Sequence, residues 1–127
     1  MTTVLLVDDD RSYRRILEKK LSNYFSASCA DDSGQMERVD IAIAEDGKSA
    51  IRYMQDNPVA LLVTDINMPK INGLQLLSYL KNYHPEIPCI FMTVYGESEI
   101  GENVINDNVM YIQKPFKVDQ LGKMILS

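Results

Sequence analysis

Hydrophobic positions in this chain follow two rhythms that take turns. Unbroken apolar runs occur at Val4-Leu5-Leu6-Val7, at Val59-Ala60-Leu61-Leu62-Val63 and from Ile87 to Met92, the last free of charge beyond Pro88. Such runs lack the polar alternation of a half-exposed strand and suit strands covered on both faces. Val39, Ile41 and Ile43 mark another strand, and Val109 to Ile112 a fifth. Between the strands the spacing becomes helical. Tyr13, Ile16, Leu17, Leu21 and Tyr24 stripe a first helix, with Arg14, Arg15, Lys19 and Lys20 on its other faces. Ala50, Ile51 and Met54 stripe a short second helix, with Asp46 placed to cap it and Asn57-Pro58 to stop it. Leu74, Leu76, Leu77 and Leu80 form a third, ended by His84-Pro85. Glu97 to Asn106 predicts a weaker fourth helix with only Ile100, Val104 and Ile105 to bury, and Val118, Leu121, Met124 and Ile125 predict a closing helix.

The order is strand then helix, five times over. That alternation predicts an α/β fold: a doubly wound five-stranded parallel sheet with right-handed crossovers and helices on both faces. Residues 26–38 are polar and aperiodic, so they predict a long loop between the first helix and the second strand. That loop joins a helix to a strand and belongs on the edge of the sheet opposite the strand ends. No internal repeat or interdomain linker interrupts residues 1–127, which read as one domain.

Composition narrows the picture in three ways. At 127 residues the chain is long enough to bury about two-thirds of its unfolded surface. Cys29 and Cys89 are too few for a disulfide framework, and Cys89 lies inside an apolar run, which favours a reduced intracellular setting. No apolar span reaches membrane length, and no basic region precedes the Val4 to Val7 run, so a soluble cytoplasmic protein is expected. Eighteen acidic against thirteen basic residues leave a net charge of −5, the wrong sign for coating a phosphate backbone. Direct nucleic-acid binding by this chain is not expected.

The chemistry gathers at the ends of the strands. Pro69 cannot donate a ladder hydrogen bond and biases Met68 toward extended backbone, so the chain leaves the sheet directly after Asp65. Asp65 then sits at the carboxyl edge, where open α/β sheets hold their ligands. On the same edge the first strand delivers Asp8 and Asp9, the fourth Thr93 and the fifth Lys114. Carboxylates about 4 Å apart repel by roughly 4 kcal/mol per pair at an intermediate dielectric, more than one lysine offsets. Three carboxylates against one ammonium therefore call for a divalent cation. An all-oxygen donor set suits Mg²⁺, and the absence of His and Cys argues against zinc. An Asp beside such a cation, a lysine and a hydroxyl can attack phosphorus and form an aspartyl phosphate.

These residues carry a resemblance. The acidic pair Asp8-Asp9, Asp65 in Asp-Ile-Asn-Met-Pro, Thr93, and Lys114-Pro115-Phe116, in that order and each at a strand end, resemble the receiver domain of two-component response regulators (CheY-like) over nearly the whole chain. The resemblance implies the flavodoxin-like strand order 2-1-3-4-5, of which CheY is a standard example. It implies Asp65 as phosphoacceptor, Mg²⁺ held by Asp9, Asp65 and the Asn67 backbone carbonyl, and Asp8 holding the metal's waters. Lys114 would pair with the phosphoryl group, across a cis bond to Pro115. Thr93 and Tyr111 resemble the family's switch pair, acting on the surface of the fourth helix, fifth strand and closing helix. The implied partners are a histidine kinase or histidine phosphotransferase as donor and a downstream effector domain or protein. A phosphorylation-dependent dimer is compatible with it.

Several positions depart from the pattern or have a plainer role. Asp10, a third consecutive acid, is placed to cap the first helix. Val94 is bulkier than the family's usual residue beside the phosphoryl pocket, and Asn67 and Tyr95 occupy positions that vary. His84, the single histidine, precedes a proline at a helix end and reads as a surface residue rather than a phosphodonor. The module the resemblance implies assists its own phosphorylation and dephosphorylation but turns over no separate substrate. Two other readings stay open: a Mg²⁺-dependent phosphohydrolase with an Asp nucleophile, and a receiver-like scaffold that is never phosphorylated. Its output, as a single-domain regulator or as a segment of a longer protein, is also open.

Overall fold

The computed structural model describes residues 2–28, 39–101, 104–106 and 108–126. The elements are β1 (Thr2–Val7), α1 (Arg11–Ser28), β2 (Val39–Ala44), α2 (Gly47–Asp56), β3 (Leu61–Asp65), α3 (Gly73–Tyr83), β4 (Cys89–Thr93), β5 (Val109–Gln113) and α4 (Val118–Leu126). The five strands pair in parallel in the order β2-β1-β3-β4-β5. This is the doubly wound α/β sheet that the alternating rhythms predict.

The unbroken apolar runs fill two cores at once. Successive side chains on a strand point to opposite faces. Val4, Leu6, Leu61, Val63, Ile90 and Met92 accordingly pack against α1 and α4, with Leu17, Leu21, Phe25 and Leu121. Leu5, Val7, Leu62, Cys89 and Phe91 pack on the other face against α2 and α3, with Ala50, Met54, Leu76, Leu77 and Leu80. Cys89 is fully buried as a free thiol, and burial pushes its pKa up. Cys29 lies outside the described residues.

Three predictions need correction. The first helix runs on to Ser28, so residues 26–28 of the expected loop are helical, while 29–38 fall outside the described residues. In α1 the inward positions are Arg14, Leu17, Leu21 and Phe25, whereas Ile16 is 55% exposed. Ile16 stands about 100° round the helix from Leu17, and Arg14 takes the core-facing place. The fourth helix is not found among the described residues: Gly96–Glu99 make one 3₁₀ turn, and no α-helix occurs among those described from Ile100 to Asn108. Gly101 at φ 99° turns the chain out of the helix. Beyond it the Asn106 side chain accepts the N–H groups of Asn108 and Val109, holding a turn where a helix would continue.

Candidate functional site

Strand ends on one rim bring the acidic residues together. β1 delivers Asp8 and Asp9, β3 ends on Asp65, and one carboxylate oxygen from each lies within 4.8 Å of the others. Asp8 is buried, Asp65 half-buried and Asp9 exposed, so the cluster opens to solvent on one side. Lys114, directly after β5, places Nζ 3.5 Å from Asp8 Oδ2 and 3.6 Å from Asp65 Oδ2. Its N–H donates to the Thr93 carbonyl at 2.7 Å, tying the ends of β4 and β5 together, and its bond to Pro115 is cis.

Local bonds fix each acidic group. Asp8 Oδ1 accepts the Asp10 N–H at 2.9 Å, and the buried Arg14 Nη1 donates to the Asp8 carbonyl at 2.8 Å. Asp10 Oδ1 accepts the Tyr13 N–H, capping α1 as its position predicts. Behind Asp65, Gly73 allows a close approach at the start of α3, because a Cβ there would lie 2.6 Å from the Asp65 carbonyl oxygen. Asn72 and Gln75 form a reciprocal capping box that seats the same helix end. Asn67 is exposed on the loop beyond β3, and its backbone N–H, with that of Ile66, works to lower the Asp65 pKa against burial.

The electrostatics follow from crowding. Burial raises the Asp8 pKa above the usual carboxylate range, opposed by the Asp10 N–H and Lys114 and reinforced by Asp9. Burial also raises Asp65, opposed by Lys114 and reinforced by Asp8. The Tyr13 ring lies 4.4 Å from Lys114 Nζ, and burial with the charges of Asp8 and Asp65 pushes its hydroxyl up to about 12. The donor set fits a hard divalent ion: all ligand atoms are oxygens, and buried Asp8 Oδ2 has no hydrogen-bond partner among the described residues.

Thr93 is buried at the end of β4, and among the described residues its hydroxyl bonds only within the turn that follows. It accepts the N–H groups of Tyr95 at 3.2 Å and Gly96 at 3.0 Å and donates to Glu99 Oε2 at 2.5 Å. Tyr111 is half-buried on β5, its Cε2 4.0 Å from where a Gly96 Cβ would stand. Val94 and Tyr95 are 53% and 72% exposed beside this turn. His84 ends α3, half-buried, with Nε2 3.4 Å from the Tyr79 hydroxyl.

Three contributors escape a reading of the sequence. Arg14 is legible in principle, three residues before Leu17 and seven before Leu21 on one helical face. Tyr13 falls on the helix stripe, which does not reveal its approach to Lys114. Glu99 gives no signal, since it reaches Thr93 only through the path of an irregular turn.

Comparison with known proteins agrees with this geometry. The sequence matches the response regulator receiver domain family over residues 4–126. It is 29% identical over 123 residues to the DNA-binding transcriptional regulator NtrC of Escherichia coli, covering 96% of this chain and 24% of that protein. It is 32% identical over 124 residues to the transcriptional regulatory protein CpxR of Escherichia coli, covering 95% and 46% respectively. The chain therefore spans less than half the length of these relatives. Among solved structures, the receiver domain of NtrX from Brucella abortus superposes with a TM-score of 0.75 at 28% identity, covering 97% of this chain and 94% of that one. A response regulator receiver domain protein from Clostridium thermocellum shares the fold at a TM-score of 0.79 and 19% identity, covering 99% and 92%. Fold, acidic rim and sequence agree: the chain belongs to the response regulator receiver domain family.

Proposed function

We propose that this receiver takes a phosphoryl group onto Asp65 and converts the new charge into a change of its protein-binding surface. The observation that carries the reading is the Lys114 ammonium standing between Asp8 and Asp65, 3.5 and 3.6 Å away, inside a three-carboxylate cluster. An Asp65 oxygen attacks phosphorus, and a new O–P bond forms as the bond to the donor's leaving nitrogen breaks. With a phosphohistidine on a histidine kinase or phosphotransferase as donor, the imidazole nitrogen takes up a proton. Lys114 passes its charge from the two carboxylates to the transferred oxygens. Asp8, Asp9, Asp65 and the Asn67 carbonyl are the groups that would hold Mg²⁺, which when bound neutralises charge on the phosphoryl oxygens. Thr93 turns its hydroxyl toward the phosphoryl group and Tyr111 responds, biasing a two-state surface that a downstream effector reads. Asn67 supplies no carboxylic acid two residues beyond Asp65, which favours a signalling module over a phosphohydrolase turning over a separate substrate.

Incubation with phosphoramidate and Mg²⁺ is expected to add one acid-stable, hydroxylamine-labile phosphoryl group, and Asp65→Asn to abolish it. Labelling that survives Asp65→Asn would move the acceptor elsewhere, and steady turnover of phosphate esters would restore the hydrolase reading.

A further inference from the structure

The Thr93 hydroxyl has no free hydrogen-bonding capacity. A hydroxyl offers one proton and two lone pairs. Here the lone pairs take the N–H groups of Tyr95 and Gly96, and the proton goes to the Glu99 carboxylate. The alternative acceptor, the Gly96 carbonyl, lies at 3.3 Å against 2.5 Å for Glu99 Oε2. A bond to an ionised acceptor is about twice as strong as a neutral one, so the carboxylate holds the proton. The other Glu99 oxygen, Oε1, is buried and has no hydrogen-bond partner among the described residues, so no bond on that side draws the carboxylate away from Thr93.

We infer that Glu99 is a positioning residue that opposes phosphoryl recognition by holding the Thr93 hydroxyl in the turn over residues 95–99. This rests on the proposed phosphorylation of Asp65 and adds the counterweight to it. For Thr93 to donate to a phosphoryl oxygen, its only proton must leave Glu99. Rotating the hydroxyl also releases the N–H groups of Tyr95 and Gly96, so the turn beside Tyr111 must rearrange in the same event. Switching is thus an exchange of one charge-assisted bond for another rather than the gain of a bond. Thr93→Ala deletes a partner from both states, and its net effect is smaller than the loss of the phosphoryl bond alone. Glu99→Ala deletes a partner from the resting state only.

The test uses beryllofluoride with Mg²⁺ as the phosphoryl mimic, with binding followed by ¹⁹F NMR. Glu99→Ala is expected to tighten beryllofluoride binding about tenfold, the difference between a charged and a neutral acceptor. The gain should vanish in a Thr93→Val background, because Glu99 acts through the hydroxyl. Unchanged or weaker binding overturns the inference, and so does a gain that persists in Thr93→Val, which would mark simple relief of charge repulsion. A second readout needs no phosphoryl mimic. In the untreated protein, Tyr95 and Gly96 amide hydrogens should exchange about tenfold faster in Glu99→Ala, and unchanged exchange overturns the inference whether or not Asp65 accepts phosphorus. Should Glu99→Ala fail to fold, Glu99→Gln, which keeps the shape and loses the charge, is held to the same criteria with a smaller gain.

Discussion

Lys114 is held between partners rather than on one of them. Its distances of 3.5 and 3.6 Å to Asp8 and Asp65 exceed the 2.7–2.9 Å range of charge-assisted hydrogen bonds, and the Tyr13 ring at 4.4 Å closes the third side. An ammonium in that position can meet transferred oxygens with little displacement. Cation–π contacts contribute about 0.5–2 kcal/mol, so Tyr13→Ala is expected to slow phosphoramidate labelling of Asp65 about fivefold. Tyr13→Phe, which keeps the ring face, should stay within about twofold; equal slowing in both would assign the effect to the hydroxyl. Residues of this kind divide by how sequence reaches them. Asp8, Asp9, Asp65, Thr93 and Lys114 are legible because every residue after a parallel strand emerges on one rim. The Glu99 contact follows the turn after Thr93, in which Gly96 stands at positive φ, and no periodicity announces it. Arg14 is hidden by its charge, which reads as a solvated face until its inward position is placed on the wheel.

Elements show where pattern is sufficient and where it fails. α2 has a clear stripe and a cap, and Asp46 Oδ1 accepts the Ser49 N–H at 2.7 Å. That bond holds the Asp46 carboxyl below its usual pKa. Asp46→Ala is therefore expected to cost about 1 kcal/mol at neutral pH in denaturant melts. A depressed folded-state pKa stabilises above the unfolded value of 3.8 and loses that stability as pH falls through the lower folded value. The gap between wild type and variant should hold above that range and close below it; a gap independent of pH would exclude the capping carboxylate. α3 is seated by close backbone contact, since a Gly73 Cβ would meet the Asp65 carbonyl at 2.6 Å and Ile66 Cα at 2.9 Å. Neither backbone atom yields as a side chain would, so Gly73→Ala is expected to destabilise by about 1–3 kcal/mol and slow Asp65 labelling together. Loss of stability with unaltered labelling kinetics would detach α3 from acceptor placement. The predicted fourth helix fails for a related reason. Three apolar residues do not specify a helix when a glycine in the left-handed region and an Asn turn compete for the same backbone.

Across the whole molecule, burial on both faces of the sheet and convergence of charge on its rim are one design. The five strands pair in parallel with both faces of the sheet buried, and this register brings Asp8, Asp9 and Asp65 within 4.8 Å of one another at one rim. The fold carries their mutual repulsion, which adds to the burial that is the main cause of the raised pKa values of Asp8 and Asp65. An ion that binds only the folded rim must then stabilise it by mass action, by about 1.4 kcal/mol at ten times its dissociation constant. Thermal melts in EDTA and in rising Mg²⁺ are expected to show that increment for the wild type. Asp9→Asn should lose it while melting in EDTA no lower than the wild type, because the substitution removes a ligand and one of the mutually repelling charges at once. An Asp9→Asn protein that still gains the full increment would place the ion outside the cluster. One that melts well below the wild type in EDTA would mean that Asp9 supports the fold directly, and that its carboxylate is not held there against repulsion.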